Sequence, residues 1–113
     1  MKIVDSINIA KLTEMAEKMY GNLVTGVVDI EKSILVLDAE MYVDEEQLLL
    51  EQGSKQNDLW GINLHPGNFG RDDFVEFDSM INIRPRHQNM SRGVDDHEVQ
   101  RKIIMIVLEK VKP

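Results

Sequence analysis

Three arginines and a histidine gather in one stretch of this acidic chain, Arg84-Pro85-Arg86-His87-Gln88-Asn89-Met90-Ser91-Arg92-Gly93, with no carboxylate among them. Guanidinium groups grip phosphate or carboxylate oxygens through two parallel N–H bonds. Asn89 and Ser91 add short hydrogen-bonding side chains, and Gly93 permits backbone angles closed to other residues. The stretch runs into a segment that reads as a helix, whose start offers free N–H groups and a positive dipole end to an anion. Asp95 and Asp96 stand at that same start and compete for those groups. The chemistry expected of the loop is binding of a small phosphate or carboxylate ligand. The plain alternative is a solvated basic loop paired with the acids around residue 44. The segment is not a nucleotide P-loop, because the glycine and lysine spacing of that motif is missing.

A second set of candidates is Asp38, Glu40, His65 and Asp78. Oxygen-rich sets of this kind hold magnesium or manganese, and paired carboxylates can divide into acid and base. Their spacing matches no metal signature, and such acids are ordinarily solvated, so no metal is assigned to them. The chain has no cysteine, which excludes disulfides, thiolate metal sites and cysteine nucleophiles. Ser54, Ser79 and Ser91 lie in no Gly-x-Ser-x-Gly turn. No motif names a cofactor or a reaction.

These residues are positioned by elements that the apolar spacing and the breakers predict. A strand is expected over 2–4. A helix over 9–20 follows from Ile9, Leu12, Met15, Ala16 and Met19, with Asn8 as N-cap and Gly21 beyond its end. Runs 23–30 and 33–43 read as a β-hairpin turning at Glu31-Lys32. Asp44 is expected to cap a short helix over 45–52, closed by Gly53. Strands over 59–65 and 73–84 form an antiparallel pair joined by about seven residues, a length that often carries function. Pro85 ends the second of them. Asp95 or Asp96 caps a last helix reaching Val111. The length fits a single domain over 1–113. The order β-α-β-β-α-β-β-α implies an α+β fold, an antiparallel or mixed sheet of roughly four to five strands with helices mainly on one face.

Alternation along the strands separates an apolar face from a polar one. If 33–43, 59–65 and 73–84 are neighbours, Asp38, Glu40, Asn63, His65, Glu76, Asp78, Asn82 and Arg84 share one open surface. Asn82 and Arg84 would then link the basic loop to the acids. The plain alternative is that a one-sided antiparallel sheet shows water a polar face.

The net charge of −7 argues against uniform binding to a nucleic-acid backbone. Two tyrosines, one tryptophan and three phenylalanines make a poor stacking platform, which weakens an RNA-processing or nuclease-like reading. Charge is nevertheless polarised, with six acids and no base over 38–51 facing the basic loop. A homodimer could pair these poles across a two-fold axis, using the open sheet face. The longest apolar run, Ile103 to Leu108, is far short of the ~20 residues that span a bilayer, so no membrane partner is expected. The first residues carry no signal-like apolar region, and a cytoplasmic setting is expected.

Four runs carry a resemblance. Leu37-Asp38-Ala39-Glu40, Leu59-Trp60-Gly61-Ile62-Asn63-Leu64, Asp78-Ser79-Met80-Ile81-Asn82-Ile83-Arg84-Pro85 and Asn89-Met90-Ser91-Arg92-Gly93-Val94 together resemble a small prokaryotic family of uncharacterised single-domain α+β proteins. The resemblance covers nearly the whole chain. It implies a single-domain extent and a prokaryotic, cytosolic setting, and it brings no activity, cofactor or site residue with it.

Overall fold

Asn8 opens the first helix as its side chain allows, its Oδ1 accepting the Lys11 N–H at 2.8 Å. At the other end the Gly21 N–H reaches back to the Ala16 carbonyl at 2.7 Å. Gly21 does so at φ +91°, where a side chain would be strained. A computed structural model describes residues 2–19, 21–38 and 41–113. Along it run β1 (Lys2–Val4), β2 (Ile7–Asn8), α1 (Ile9–Met19), β3 (Val24–Asp29), β4 (Ile34–Leu37) and α2 (Tyr42–Glu51). There follow β5 (Leu59–Leu64), β6 (Val75–Glu76), α3 (His97–Lys110) and β7 (Val111–Lys112), with short 3-10 turns between.

Five strands form one antiparallel sheet in the order β1-β4-β3-β5-β6. The central pairing matches β3 with β5 from Val24↔Leu64 to Asp29↔Leu59. β2 and β7 make a separate parallel pair. The fold is α+β, as the element order implies. Among the described residues no helix is long and apolar enough to cross a membrane.

One sheet face presents Val24, Val28, Leu35, Leu37, Trp60, Ile62 and Leu64. Against it pack Leu12, Met15 and Ala16 of α1 and Ile103, Ile106 and Val107 of α3. The first and last helices are thus the expected cover. The second face was expected to be open, and it is not. Leu49 of α2 packs there with Val27, Val36 and Leu59, flanked by Tyr42, Leu48 and Ile81. Apolar residues on both faces of the central strands explain this: Val27 and Val36 need cover that water does not give.

Three expectations are corrected. The strand expected over 33–43 ends at Leu37, and Asp38 turns the chain at φ +72°. Ala39 and Glu40 lie outside the described residues. α2 then starts at Tyr42, with Met41 rather than Asp44 at its N-cap position. The strand expected over 73–84 survives only as β6, and 80–82 is a 3-10 turn.

The hairpin between β3 and β4 is held from inside. Asp29 is fully buried and its Oδ1 accepts the Glu31 and Lys32 N–H groups, each at 2.9 Å. Its Oδ2 accepts the Ser54 hydroxyl at 2.6 Å, tying the hairpin to the chain beyond α2. A hydrogen bond to a charged group contributes about 1.5–3 kcal/mol. Ser54→Ala is therefore expected to lower the urea midpoint by that much stability at unchanged slope. A midpoint equal to wild type would show that the tie contributes nothing.

Candidate functional site

Past Glu76 the chain turns away from the sheet, and Gly61 has no strand neighbour on that edge. The Asn82 carboxamide takes the neighbour's place. Its Oδ1 accepts the Gly61 N–H at 2.8 Å, and its Nδ2 donates to the Gly61 carbonyl at 2.9 Å. The same Nδ2 donates to the Arg92 carbonyl at 2.9 Å. Asn89 does similar work one layer out. Its Nδ2 donates to the carbonyls of Asn82 at 2.7 Å, Gly93 at 2.8 Å and Ser91 at 3.2 Å. Its Oδ1 accepts the Asp95 N–H at 2.8 Å. Both asparagines are buried with their polar atoms engaged. Together they shape the loop.

The helix start is occupied by the chain's own acids. Asp96 Oδ1 accepts the Glu98 N–H at 2.8 Å. Asp95 accepts the Ser91 hydroxyl at 2.8 Å and the Met90 N–H at 3.2 Å. Ser91 is therefore engaged, and the Asp96 carboxylate competes with any anion at the N-terminus of α3. Arg92 is also taken, with its Nε donating to Asp78 Oδ1 at 2.6 Å in an exposed pair.

Arg84 is different. It leaves the 3-10 turn at a short closure in which Arg84 N–H meets the Asn89 carbonyl at 2.6 Å and Asn89 N–H the Arg84 carbonyl at 3.1 Å. Gln88, at φ +61°, completes that closure. The arginine side chain folds inward and is only 9% exposed. Its guanidinium carbon sits 4.2 Å from the centre of the Trp60 ring, a cation–π contact. Nε donates to the Ile81 carbonyl at 3.3 Å and Nη1 to the Asn57 carbonyl at 3.1 Å. Nη2 is buried and meets no acceptor. Among the described residues no carboxylate lies within 4.0 Å of it. Burial pulls the guanidinium below arginine's ordinary range, and the more distant Glu46 and Asp58 pull it back.

Beside Arg84 opens a cavity of about 520 Å³. Gln56, Asn57, Ile81, Ile83 and Pro85 line it with Arg84, and the exposed Arg86 and His87 complete the lining. The size falls within the usual range for small-ligand sites. Arg84 and Arg86 thus meet at one cavity, while Arg92 pairs elsewhere.

The acid–histidine set comes together only in part. Tyr42 donates its hydroxyl to Asn63 Oδ1, and Asn63 Nδ2 donates to Glu76 Oε1 at 2.8 Å. His65 Nε2 lies 3.3 Å from the same Glu76 oxygen. The Asp78 carbonyl lies 3.5 Å from Asn63 Nδ2, while its carboxylate turns to Arg92. Asp38 is half-buried at its turn, and no hydrogen bond or ion pair among the described residues joins it to His65 or Asp78. Glu40 lies outside the described residues. Among the described residues no three carboxylates or imidazoles are placed to hold a metal ion. The arrangement is a hydrogen-bond chain across the second sheet face. Burial pushes the Tyr42 hydroxyl well above its ordinary range, helped by Asp78, Glu45 and Glu76, so it stays protonated.

The Asn63 amide holds the Glu76 carboxyl below the ordinary carboxylate range, against burial and with help from His65 and Arg92. A folded-state pKa below the unfolded one gives stability that is present above the unfolded value and lost as pH falls through the folded value. Acidification is therefore expected to weaken wild type more than Glu76→Gln. Solvent screens this half-exposed carboxylate, so the difference is small. Urea midpoints at neutral and acid pH measure it, and equal losses in both proteins would refute it.

Asn57, Gln56 and Ile83 at the cavity carry no signal in the sequence as site residues, and Trp60 carries none that singles out Arg84 as its partner. A backbone carbonyl such as that of Asn57 leaves no sequence signal. The single tryptophan was the one readable hint, since a buried guanidinium seeks an aromatic face.

No curated protein and no solved structure matches the chain in comparison. A family model does match, over residues 1–110, and its description is a protein of unknown function (DUF5674). The chain belongs to that family.

Proposed function

We propose that this domain binds a small anion at the cavity beside Arg84. The observation that carries the reading is a buried guanidinium with one donor nitrogen left over, next to a space of ligand size. An unmet buried donor costs about 1–3 kcal/mol, more where it is charged. A phosphate or carboxylate relieves that cost. A small shift of the guanidinium that leaves Nε and Nη1 on their carbonyls turns Nη2 to the cavity, where an anion forms a charge-assisted pair with it. Arg86 adds a second positive charge at the rim, beside the His87 ring. Asn82, Asn89 and Ser91 serve the site by fixing the loop. A chain free of cysteine is at home in a reducing cytoplasm, where we place this activity.

Thermal unfolding in phosphate, acetate and chloride at one ionic strength tests the reading. A bound anion at a hundredfold excess over its Kd stabilises by about 2.7 kcal/mol. That gain over chloride is expected in wild type with at least one of the two oxyanions, and it is expected to be largely lost in Arg84→Lys and reduced in Arg86→Ala. Equal gains in all three proteins would place any binding elsewhere.

Self-association is a second reading, favoured by the exposed Ile104, Met105 and Leu108 on α3. α2 covers the sheet face first expected to serve, so α3 is the surface to test. Light scattering over a concentration series on wild type and Met105→Glu decides it.

A further inference from the structure

Resting on the anion site just proposed, we infer that its ligand is an organic monocarboxylate with a compact apolar body, and not a phosphate ester or nucleotide. Charge comes first. Of the two arginines at the cavity only Arg84 is buried, and Arg86 is exposed at the rim. Glu46 and Asp58 lie close enough for their fields to reach the Arg84 guanidinium. They oppose further negative charge, as does the net −7 of the chain. A phosphate monoester carries about −1.5 to −2 near neutral pH. Beside two acids the buried Arg84 matches a single charge, and the second charge of a phosphate is left to the exposed, solvent-screened Arg86.

Donor supply points the same way. Nε and Nη1 of Arg84 are spent on carbonyls, which leaves Nη2 alone. The loop backbone adds little. Pro85 has no N–H, and the N–H groups of Arg84, His87, Gln88 and Asn89 are bonded within the loop. The three oxygens of a phosphate need a nest of amides that is not there. A carboxylate needs less.

The walls then set the rest of the ligand. Ile81, Ile83 and Pro85 give the cavity the apolar part of its lining. Ile83 is 40% exposed there, an aliphatic side chain presented to the opening. Covering it removes apolar surface from water, which acetate is too small to do.

Trp60 supplies the reporter. It is the only tryptophan, it touches Arg84, and its indole N–H meets no acceptor. The full chain is titrated with benzoate, acetate and inorganic phosphate at constant ionic strength while the indole N–H resonance is followed. Benzoate is expected to shift it saturably and to bind about tenfold or more tightly than acetate. Phosphate is expected to produce no saturable shift. Ile83→Glu, a change at an exposed position, is expected to weaken benzoate by about tenfold or more while the unfolding midpoint holds. Phosphate binding more tightly than benzoate, or benzoate no better than acetate, overturns the carboxylate assignment and leaves the anion site standing. Undiminished benzoate binding by Ile83→Glu also overturns the assignment. Silence from all three probes overturns both.

Discussion

Asn82→Ala is expected to cost about 3–5 kcal/mol, among the larger losses a single side chain can produce. Asn82 is fully buried, and two backbone groups depend on it, the Gly61 N–H and the Gly61 carbonyl; the Arg92 carbonyl that it also bonds keeps the Ser79 N–H at 2.9 Å. Each buried polar group stripped of its partner costs about 1–3 kcal/mol, and water cannot easily enter to replace it. Urea unfolding reads the loss as a lower midpoint. Asn82→Asp sharpens the test. The aspartate keeps an acceptor for the Gly61 N–H, loses the donor, and sets a carboxylate oxygen against two carbonyls. It is expected to be at least as harmful as alanine at neutral pH and to recover on acidification, when the carboxyl regains a proton to donate. A loss below about 1 kcal/mol for the alanine variant would mean that the loop is anchored by something else.

The second large effect is expected at Gly61. A Cβ built there lies 2.5 Å from both Cβ and Oγ of Ser79 and 3.0 Å from Cγ1 of Ile81. Real side chains do not approach so closely, so the strand or the turn must yield. Overpacking of this kind costs about 1–3 kcal/mol. Gly61→Ala is expected at the upper end, since the neighbour is a turn held by the Asn82 carboxamide. Ser79→Gly removes the clashing atoms at the expense of the Ile81 N–H cap at 3.3 Å. The double variant is then expected to be more stable than Gly61→Ala alone, with a coupling of about 0.5–3 kcal/mol. Strict additivity would show that the contact is not the cause.

Both predictions concern the part of the chain least legible in its sequence. The apolar alternation Val75, Phe77, Ser79, Ile81, Ile83 reads as one face of a strand. The fold instead exposes Ile83 and buries Phe74, Asn82 and Arg84, residues of the opposite set. Short polar side chains caused the misreading. Ser79 accepts a backbone N–H two residues on, and Asn82 bonds a distant strand, so local and long-range side-chain bonds displace the ladder. Where caps and spacing agree, the text was plain. Asn8 and Gly21 bound α1, Asp96 caps α3, and β3 with β4 forms the expected hairpin. The loop 84–93 was legible as a place of interest because arginines cluster there. Its division of labour was not. Which arginine turns inward depends on Trp60 and the Asn57 carbonyl, both more than twenty residues away in sequence.

The parallel pairing of Ile7 with Val111 joins segments from opposite ends of the chain. Closing so long a loop forfeits much chain entropy, and only two residue pairs are gained in return. During refolding this clasp is expected to form after the central sheet has drawn the ends together, and in the native state to open before that sheet does. Amide hydrogens there are expected to exchange with deuterium through small local openings, well before those of β3 and β5, which wait for the whole molecule to unfold. On that expectation the clasp is a latch on the finished fold, closed last and opened first.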